Sequence, residues 1–217
     1  VAYRAGHSGA VAVMCRAEHA GKIEPGLDSV AIRFSVGPRT GWRDMTEAYG
    51  RPQEAEATLV GAEEPAVMYY TSGSTGFPKG VDHADRAVFG WRYAARYWLD
   101  LKPGERIWCG AETGWSKAGT SVLFGPWSEG ATSFHYDGPF DPRERLAMLA
   151  KLRITVYCAP ATELYRVVQE DIAAHDLSAL RRTVSAGEAM NPVVAEKWTA
   201  ATGVPVAEAY GQTETLM

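Results

Sequence analysis

Apolar runs of strand length alternate with helix-like segments along most of the 217 residues. Several of these runs are almost continuously apolar, as expected for strands buried on both faces of a sheet. The alternation predicts an α/β fold of wound, mainly parallel sheets flanked by helices. The predicted strands are 10–15, 30–36, 66–71, 106–111, 131–136, 154–159, 183–186 and 204–210.

Helix signals fill the gaps between these runs. Residues 82–99 predict an amphipathic helix with Val88, Trp91, Ala95 and Trp98 on one stripe. On this prediction His83 lies in the first turn of that helix, as a cap or in contact with solvent.

Three further helices have start or stop signals. Asp141, followed by Pro142 and an acid at 144, predicts an N-cap with proline at the first helical position, and Leu146 and Leu149 then face inward. Thr162 predicts the cap of a helix that reaches Ile172. Asn191, followed by proline, predicts another helix start, and Gly203 predicts its end.

A polar loop follows the predicted strand 66–71. Its glycines let the backbone approach a ligand closely, its hydroxyls and N–H groups donate hydrogen bonds, and its lysine adds a positive charge. This chemistry suits a polyanion such as a phosphate chain, although a flexible surface turn is the plainer alternative. The spacing is not that of a Walker P-loop. The residues concerned are Thr71, Ser72, Gly73, Ser74, Thr75, Gly76 and Lys79.

A second polar motif follows the last predicted strand. Tyr210 can stack on a base, Gly211 allows close approach, Thr213 can donate to a phosphate, and Glu214 can hold Mg²⁺. Taken alone, the motif is more often a strand end that runs into a helix cap. Ligands of wound α/β sheets bind beyond the carboxyl ends of the strands, so we expect both motifs at one edge.

Composition excludes some classes of partner. The net charge is −4 and no basic block stands out, which argues against nucleic acid. The three cysteines and five histidines form no metal spacing or disulfide framework, and a reducing cytoplasm is the simplest location. No apolar stretch is long enough to span a membrane. Cys109 and Cys158 are expected to be small buried apolar residues.

Residues 70–81 resemble the phosphate-loop signature of the adenylate-forming enzymes, which include acyl- and aryl-CoA synthetases, luciferases and peptide-synthetase adenylation domains. The motif at 210–215 resembles the adenine and Mg²⁺ motif of that superfamily. Gly187, Glu188 and Ala189 are similar to the segment whose backbone lies against adenine. Within the superfamily, residues 112–115 (Glu-Thr-Gly-Trp) look most like the medium-chain acyl-CoA synthetase and acetyl-CoA synthetase-like branch, with Glu112 in place of the usual aspartate.

This resemblance implies a two-step reaction. A carboxylate attacks the α-phosphate of ATP to give acyl-AMP and pyrophosphate, and coenzyme A then displaces AMP. The implied substrate is a medium- or short-chain fatty acid, or an aryl acid. Such chemistry depends on positioning and charge stabilisation.

Roles for individual residues also follow from the resemblance. Residues 71–76 and Lys79 would cradle the β- and γ-phosphates, and Thr213 would contact the α-phosphate. Glu214 would hold Mg²⁺, so that Lys79, Thr213 and Glu214 are the catalytic candidates. Tyr210, with Gly211 and the segment 187–189, would bind adenine. Trp115 would line the acyl site, with core packing as an equal alternative.

The same resemblance implies a domain organisation. Residues 1–61 would be part of a first α/β subdomain plus a connector, and residues 62–217 a truncated ATP- and acyl-binding subdomain. The chain starts at Val1 without an initiator methionine and stops at Met217. We therefore expect an internal piece of a longer protein, with the family's small C-terminal domain outside it.

Two other functions stay open. The first is an amino-acid-activating adenylation domain, which needs an acid to bind the substrate ammonium. Residues 114–125 contain no acid and only Lys117, so an ammonium there would lack a partner. The second is a nucleotide-binding fragment without catalysis.

Overall fold

A computed structural model describes residues 1–52, 54, 56–72 and 76–215 of the chain. Short 3-10 turns lie at Glu24–Gly26, Met45–Gly50, Ile172–Ala174 and Thr213–Thr215. The strands are β1 (Ala12–Arg16), β2 (Ile32–Val36), β3 (Arg43–Asp44), β4 (Pro65–Thr71), β5 (Lys79–Ala84), β6 (Arg106–Cys109), β7 (Thr132–Phe134), β8 (Val156–Cys158), β9 (Arg182–Ala186) and β10 (Val206–Ala209). The α-helices are α1 (Ala2–Ser8), α2 (Ala17–Ile23), α3 (Asp85–Tyr97), α4 (Lys117–Ser121), α5 (Phe124–Ser128), α6 (Pro142–Lys151), α7 (Ala161–Val167) and α8 (Pro192–Thr202).

The chain divides into two compact units. The first contains Val1–Val60 and Tyr70–Gly80, and the second contains Gly61–Tyr69 and Val81–Met217. The boundary falls inside the two-stranded sheet of β4 and β5. The predicted subdomains, 1–61 and 62–217, stay a prediction.

The first unit is a three-stranded parallel sheet with strand order β1-β2-β3. Its core is small and is formed by Ala5, Leu27 and Val30. Glu24 accepts hydrogen bonds from Arg39 at 2.7 Å and from Trp42 at 2.8 Å. These bonds, the one from Arg39 first, lower the pKa of the Glu24 carboxyl. These polar contacts therefore add to the apolar packing of the small core in holding the first unit together.

The second unit is a five-stranded, all-parallel sheet with strand order β10-β9-β8-β6-β7. Successive strand residues face opposite sides of a sheet. Trp108 and Tyr157 accordingly lie in the core formed with α6, α7 and α8, whereas Ile107 and Val156 lie in the core formed with α3 and α4. The predicted α/β sheet flanked by helices is confirmed.

The predicted helix signals are confirmed at α6 and α8. Asp141 caps α6 by accepting hydrogen bonds from the N–H groups of residues 143 and 144, and Leu146 and Leu149 are buried. Asn191 caps α8 in the same way, and Gly203 ends that helix in the left-handed conformation, with φ +74°. The predicted buried stripe of α3 is confirmed by Trp91 and Ala95, which are both fully buried.

The prediction of a helix from residue 82 is wrong in its first turn. Residues 79–84 form β5, and α3 begins at Asp85. Extended backbone there pairs with β4, which would otherwise present unsatisfied N–H and C=O groups on that side. His83 lies in this strand and is buried, with its ring against Tyr69 and Trp91. Its predicted place in a helical turn in contact with solvent is therefore wrong.

The prediction that Thr162 caps a long helix is also wrong. The N-cap of α7 is Pro160, the helix ends at Val167, and Ile172 lies in a separate 3-10 turn. The backbone N–H and the hydroxyl of Thr162 both donate to Glu188, at 2.9 and 2.8 Å. The acid that fixes this helix start comes from a distant loop, which no local pattern reveals.

A search of the described residues found no helix long and apolar enough to cross a membrane.

Close packing of α4 against α3 yields a stability prediction. A Cβ on Gly119 would lie 2.6 Å from the ring of Trp91, which is fully buried and stacked on Phe124. Gly119→Ala should therefore lower the free energy of unfolding by about 1–3 kcal/mol, the usual cost of overpacking. Gly114→Ala is the matched control, because a Cβ there meets nothing within 4 Å. Equal urea midpoints for the two variants would contradict the packing.

Candidate functional site

Four of the loops at the carboxyl edge of the five-stranded sheet form the candidate site of the second unit. They follow β6, β8, β9 and β10, and because these strands are parallel the loops open on the same side. This is the edge at which ligands of wound α/β sheets bind. Trp115, the segment 187–189 and the motif 210–215 all belong to these loops.

The loop after β6 connects directly to the last motif. The hydroxyl of Ser116 donates to that of Thr213, at 3.4 Å. Trp115 is 58% exposed, so the alternative of core packing is wrong for this side chain. A ring in this position is available to cover a ligand at the edge of the sheet.

The last motif presents its side chains to solvent. Tyr210 is 80% exposed, and Glu214 is exposed within a 3-10 turn. Thr215 holds that turn, because its hydroxyl accepts from the N–H of Gln212 at 3.0 Å and donates to the Gln212 carbonyl at 3.1 Å. An exposed ring and an exposed carboxylate are free to stack and to coordinate, respectively.

The segment 187–189 is fixed by hydrogen bonds to the carboxylate of Glu188. Glu188 accepts both donors of Thr162, so its carboxylate is engaged with the first turn of α7. Gly187 has φ +99°, a conformation that favours glycine, and a Cβ there would meet nothing within 4 Å. Gly187 therefore presents its backbone, and no side chain, to the space beside it.

The predicted phosphate loop belongs to the first unit and connects β4 to β5. Thr71 is the last residue of β4, and Lys79 is the first of β5 and is exposed. Gly76 has φ +87° with open space around its Cα. Ser72 is exposed, and residues 73–75, which are Gly73, Ser74 and Thr75, lie outside the described residues. That this loop and the motif at 210–215 form one site stays a prediction.

A buried lysine lies beneath the edge. The side chain of Lys117 is 6% exposed, and its Nζ donates to the Ala186 carbonyl at 3.0 Å. Cys109 and Cys158 are paired in register on β6 and β8, and both side chains belong to the core on the α4 side. Their predicted burial is confirmed. They are not merely apolar, however, because the two thiols are hydrogen-bonded to each other.

The two thiols differ in acidity. The hydrogen bond from Cys109, with the nearby Lys117 ammonium, lowers the pKa of Cys158 to about 7 against the effect of burial. The pKa of Cys109 is raised well above its usual value, first by the hydrogen bond with Cys158 and then by burial. The lysine is thus an electrostatic partner of the pair, a role that the sequence did not indicate.

On the opposite face of the sheet, Glu163 is the centre of a buried polar cluster. Its carboxylate accepts a hydrogen bond from Tyr157 and lies 3.1 Å from the Arg145 guanidinium. That guanidinium also covers the ring of Trp108, at 3.9 Å from the ring centroid. Burial raises the pKa of Glu163, whereas Arg145 opposes the rise. A Cβ on Gly110 would overlap this carboxylate, so glycine makes room for the cluster.

Sequence reasoning missed Glu163 and Arg145. Both lie on helices whose apolar periodicity is satisfied without them, so no local signal marks them as buried. The only hint is Gly110 at the end of a predicted strand, where a glycine often marks a close approach.

Within the described part of the chain, no group of three or more His, Cys, Asp or Glu is placed to hold a metal ion. Mg²⁺ needs less, because it is often bound by one or two carboxylates together with substrate phosphates. The exposed Glu214 carboxylate fits that requirement.

The chain belongs to the AMP-binding enzyme family, whose model matches residues 1–217. The predicted membership of the adenylate-forming superfamily is thereby confirmed.

Curated relatives place it near one branch of that family. Acyl-coenzyme A synthetase ACSM3, mitochondrial, of Homo sapiens is 35% identical over 208 residues, which cover 90% of this chain and 35% of the relative. The Rattus norvegicus protein of the same name is 38% identical over 208 residues, which cover 90% of this chain and 36% of the relative. The chain thus spans about a third of the length of these relatives.

Solved structures have the same fold. The anthranilate CoA ligase AuaEII, in complex with anthranoyl-AMP, superposes with a TM-score of 0.89 and 25% identity, covering 100% of this chain and 43% of the ligase. An acyl-CoA synthetase of Brucella canis superposes with a TM-score of 0.89 and 25% identity, covering 98% of this chain and 40% of that protein.

The carboxylate of Glu188 should control the start of α7. Glu188→Ala removes the acceptor of both Thr162 donors, whereas Glu188→Gln keeps an amide oxygen there. Loss of a cap of this kind costs about 1 kcal/mol, so exchange of the Thr162 amide hydrogen should become roughly fivefold faster in Glu188→Ala. Hydrogen exchange measured by NMR checks this, with Glu196→Ala as the control. Equal rates in Glu188→Ala and wild type would contradict the contact.

Ionisation of Cys158 should be visible in solution. Because its pKa is about 7, the thiolate forms as the pH rises through that value. Ultraviolet thiolate absorbance should therefore increase with a midpoint near 7, and Cys158→Ser should abolish this step. Lys117→Met should raise the midpoint, because a stabilising positive charge is lost. The exposed Lys102 supplies the control, Lys102→Met, and an identical midpoint in both lysine variants would contradict the interaction.

Proposed function

We propose that the protein activates a carboxylic acid with ATP to give acyl-AMP and pyrophosphate, and then transfers the acyl group to coenzyme A with release of AMP. The observation that carries the proposal is the hydrogen bond between Ser116 and Thr213. It joins the loop proposed to line the acyl site to the residue proposed for the α-phosphate. A carboxylate can attack the α-phosphate only if the two are held together, and this adjacency supports the proposed arrangement.

The proposed roles divide between the phosphates and the base. Residues 71–76 and Lys79 hold the β- and γ-phosphates through hydroxyls, N–H groups and one ammonium. Tyr210 and Gly211 bind adenine together with the backbone of 187–189. The exposure of Tyr210 and the positive φ of Gly187 support these roles, since both leave space for a flat base.

Mg²⁺ is proposed as a cofactor through Glu214. When bound, the ion would neutralise phosphate charge as pyrophosphate leaves. The exposed Glu214 carboxylate follows Thr213 directly, so the residue proposed for the metal adjoins the residue proposed for the α-phosphate.

The acid is proposed to be a medium- or short-chain fatty acid, or an aryl acid. The names of the curated relatives support an acyl substrate, and the anthranilate CoA ligase supports an aryl one. Amino-acid activation is the weaker candidate, because Lys117 is the one charge of the stretch 114–125 and its ammonium is already bound to the Ala186 carbonyl. A substrate ammonium would meet a like charge there rather than an acid.

A cytoplasmic location is proposed from the three free cysteines, which suit a reducing compartment. The mammalian relatives are named as mitochondrial, which does not match this proposal. Cell fractionation with an antibody to the chain would distinguish the cytoplasm from the mitochondrion.

Two charge-removing variants test the reaction. In the protein at its full natural length, Lys79→Ala and Glu214→Gln should each slow carboxylate-dependent ATP–pyrophosphate exchange by about ten- to a thousandfold, the range found when charge-stabilising groups are lost. Lys151→Ala and Glu196→Gln are matched controls on exposed positions of α6 and α8 and should retain full exchange. Unchanged exchange in both test variants would refute the assignment.

A substrate panel tests the acid. Acetate, butyrate, octanoate, benzoate and a neutral amino acid would be compared by pyrophosphate release. The proposal expects release with at least one of the four simple acids and none above background with the amino acid. Release with the amino acid alone would favour the adenylation-domain candidate.

A further inference from the structure

Helix α1 contacts both ends of the predicted phosphate loop, and all the groups involved belong to the first unit. At the near end, the Tyr70 hydroxyl and Nδ1 of His7 share a hydrogen bond of 2.8 Å, and the same hydroxyl donates to the Arg4 carbonyl at 3.3 Å. A hydroxyl has one proton, so both contacts are satisfied when Nδ1–H of His7 donates to Tyr70. Tyr70 precedes Thr71, the first of the residues proposed to cradle the phosphates.

At the far end, Phe77 follows Gly76 directly. Its ring stacks on Tyr3 of α1, with 4.7 Å between centroids and 17° between planes. Tyr3 in turn stacks on His7, with 5.3 Å between centroids. Phe77, Tyr3, His7 and Tyr70 thus form a continuous series of rings, the aromatic bridge, which joins the two ends of the loop through one helix.

The helix that carries this bridge is itself fixed to the first sheet. Ala5 is buried against Leu27 and Val30. A Cβ on Gly26 would lie 2.7 Å from the backbone nitrogen of Ala2. The backbone at Gly26 therefore lies too close to α1 for any residue with a side chain. The bridge therefore links Tyr70 and Phe77, at the two ends of the loop, to a helix that is packed on the sheet.

We propose that α1 is a clamp for the phosphate loop, in which Tyr3 and His7 are positioning residues that hold the loop ends ready for the β- and γ-phosphates of a nucleoside triphosphate. The clamp rests on the part of the proposed function that assigns this loop to ATP phosphates. Binding that has to fix the ends of a loop loses affinity to conformational entropy. Fixing both of its ends in advance reduces that loss.

The clamp acts on the outer phosphates and not on the base. Removing it should weaken the binding of ATP and of pyrophosphate, which engage the loop. AMP lacks the β- and γ-phosphates and should bind unchanged. A general loss of folding would weaken all three ligands together, so the comparison separates positioning from mere support of the fold.

The test uses Tyr3→Ala and His7→Ala in the protein at its full natural length. One aromatic pair contributes about 0.5–1.5 kcal/mol, so the dissociation constants for ATP and pyrophosphate should rise about two- to thirteenfold in each variant. Calorimetry measures them, together with that for AMP. In turnover, KM for ATP should rise while KM for the carboxylate stays constant.

Conservative variants should rescue the effect. Tyr3→Phe keeps the stacked ring, and His7→Asn keeps a donor for the Tyr70 hydroxyl. In a Tyr70→Phe background that hydroxyl is absent, so His7→Ala should lose part of its effect on ATP. Tyr49→Ala, at an exposed tyrosine of the same unit outside the bridge, should change nothing.

Gly26→Ala tests the clamp without touching the bridge. The added methyl would push α1 from the sheet, and ATP affinity should fall while AMP affinity is retained. Equal ATP affinity in Tyr3→Ala, His7→Ala and wild type would overturn the clamp and leave the proposed function standing. The same conclusion would follow if these variants weakened the binding of AMP as much as the binding of ATP. Wild-type protein that binds ATP without carboxylate-dependent exchange would overturn the proposed function alone, and wild-type protein that binds no ATP would overturn both.

Discussion

Parallel hydrogen bonding among β6, β8, β9 and β10 is the constraint on which the second unit depends. It directs every carboxyl end to one edge, so that loops far apart in the chain meet there. The contacts between Ser116 and Thr213 and between Glu188 and Thr162 are consequences of that arrangement. The chemistry of the edge is supplied by side chains on loops, whereas their relative positions are supplied by the sheet.

The sequence predicted this architecture because strands buried on both faces are marked by apolar runs, and helix ends are marked by capping residues next to them in the chain. All eight predicted strands exist, and Asp141, Asn191 and Gly203 act at the helix ends as expected. The strands β3 and β5 were missed, since the first is two residues long and the second is polar. The backbones of β3 and β5 are extended because they pair with neighbouring strands, and not because of their own sequences.

The candidate site was only partly predictable for a related reason. Short motifs identified residues at the edge of the sheet. The burial of a side chain, however, depends on contacts with residues far away in the sequence, which a local pattern does not reveal. Lys117 stood out in the sequence only as the one charge of residues 114–125, and the structure shows it buried beside a carbonyl and two thiols. Glu163 and Arg145 satisfy each other across two helices, and neither helix signals the pair by itself.

The distribution of the three thiols has a practical consequence. Cys15 is partly accessible in the first unit, whereas Cys109 and Cys158 are enclosed between the five-stranded sheet and α4. A maleimide dye added to native protein would label Cys15 first and the other two only when the sheet separates from that helix. The stoichiometry of labelling over time would therefore record how often the second unit opens, without any engineered probe.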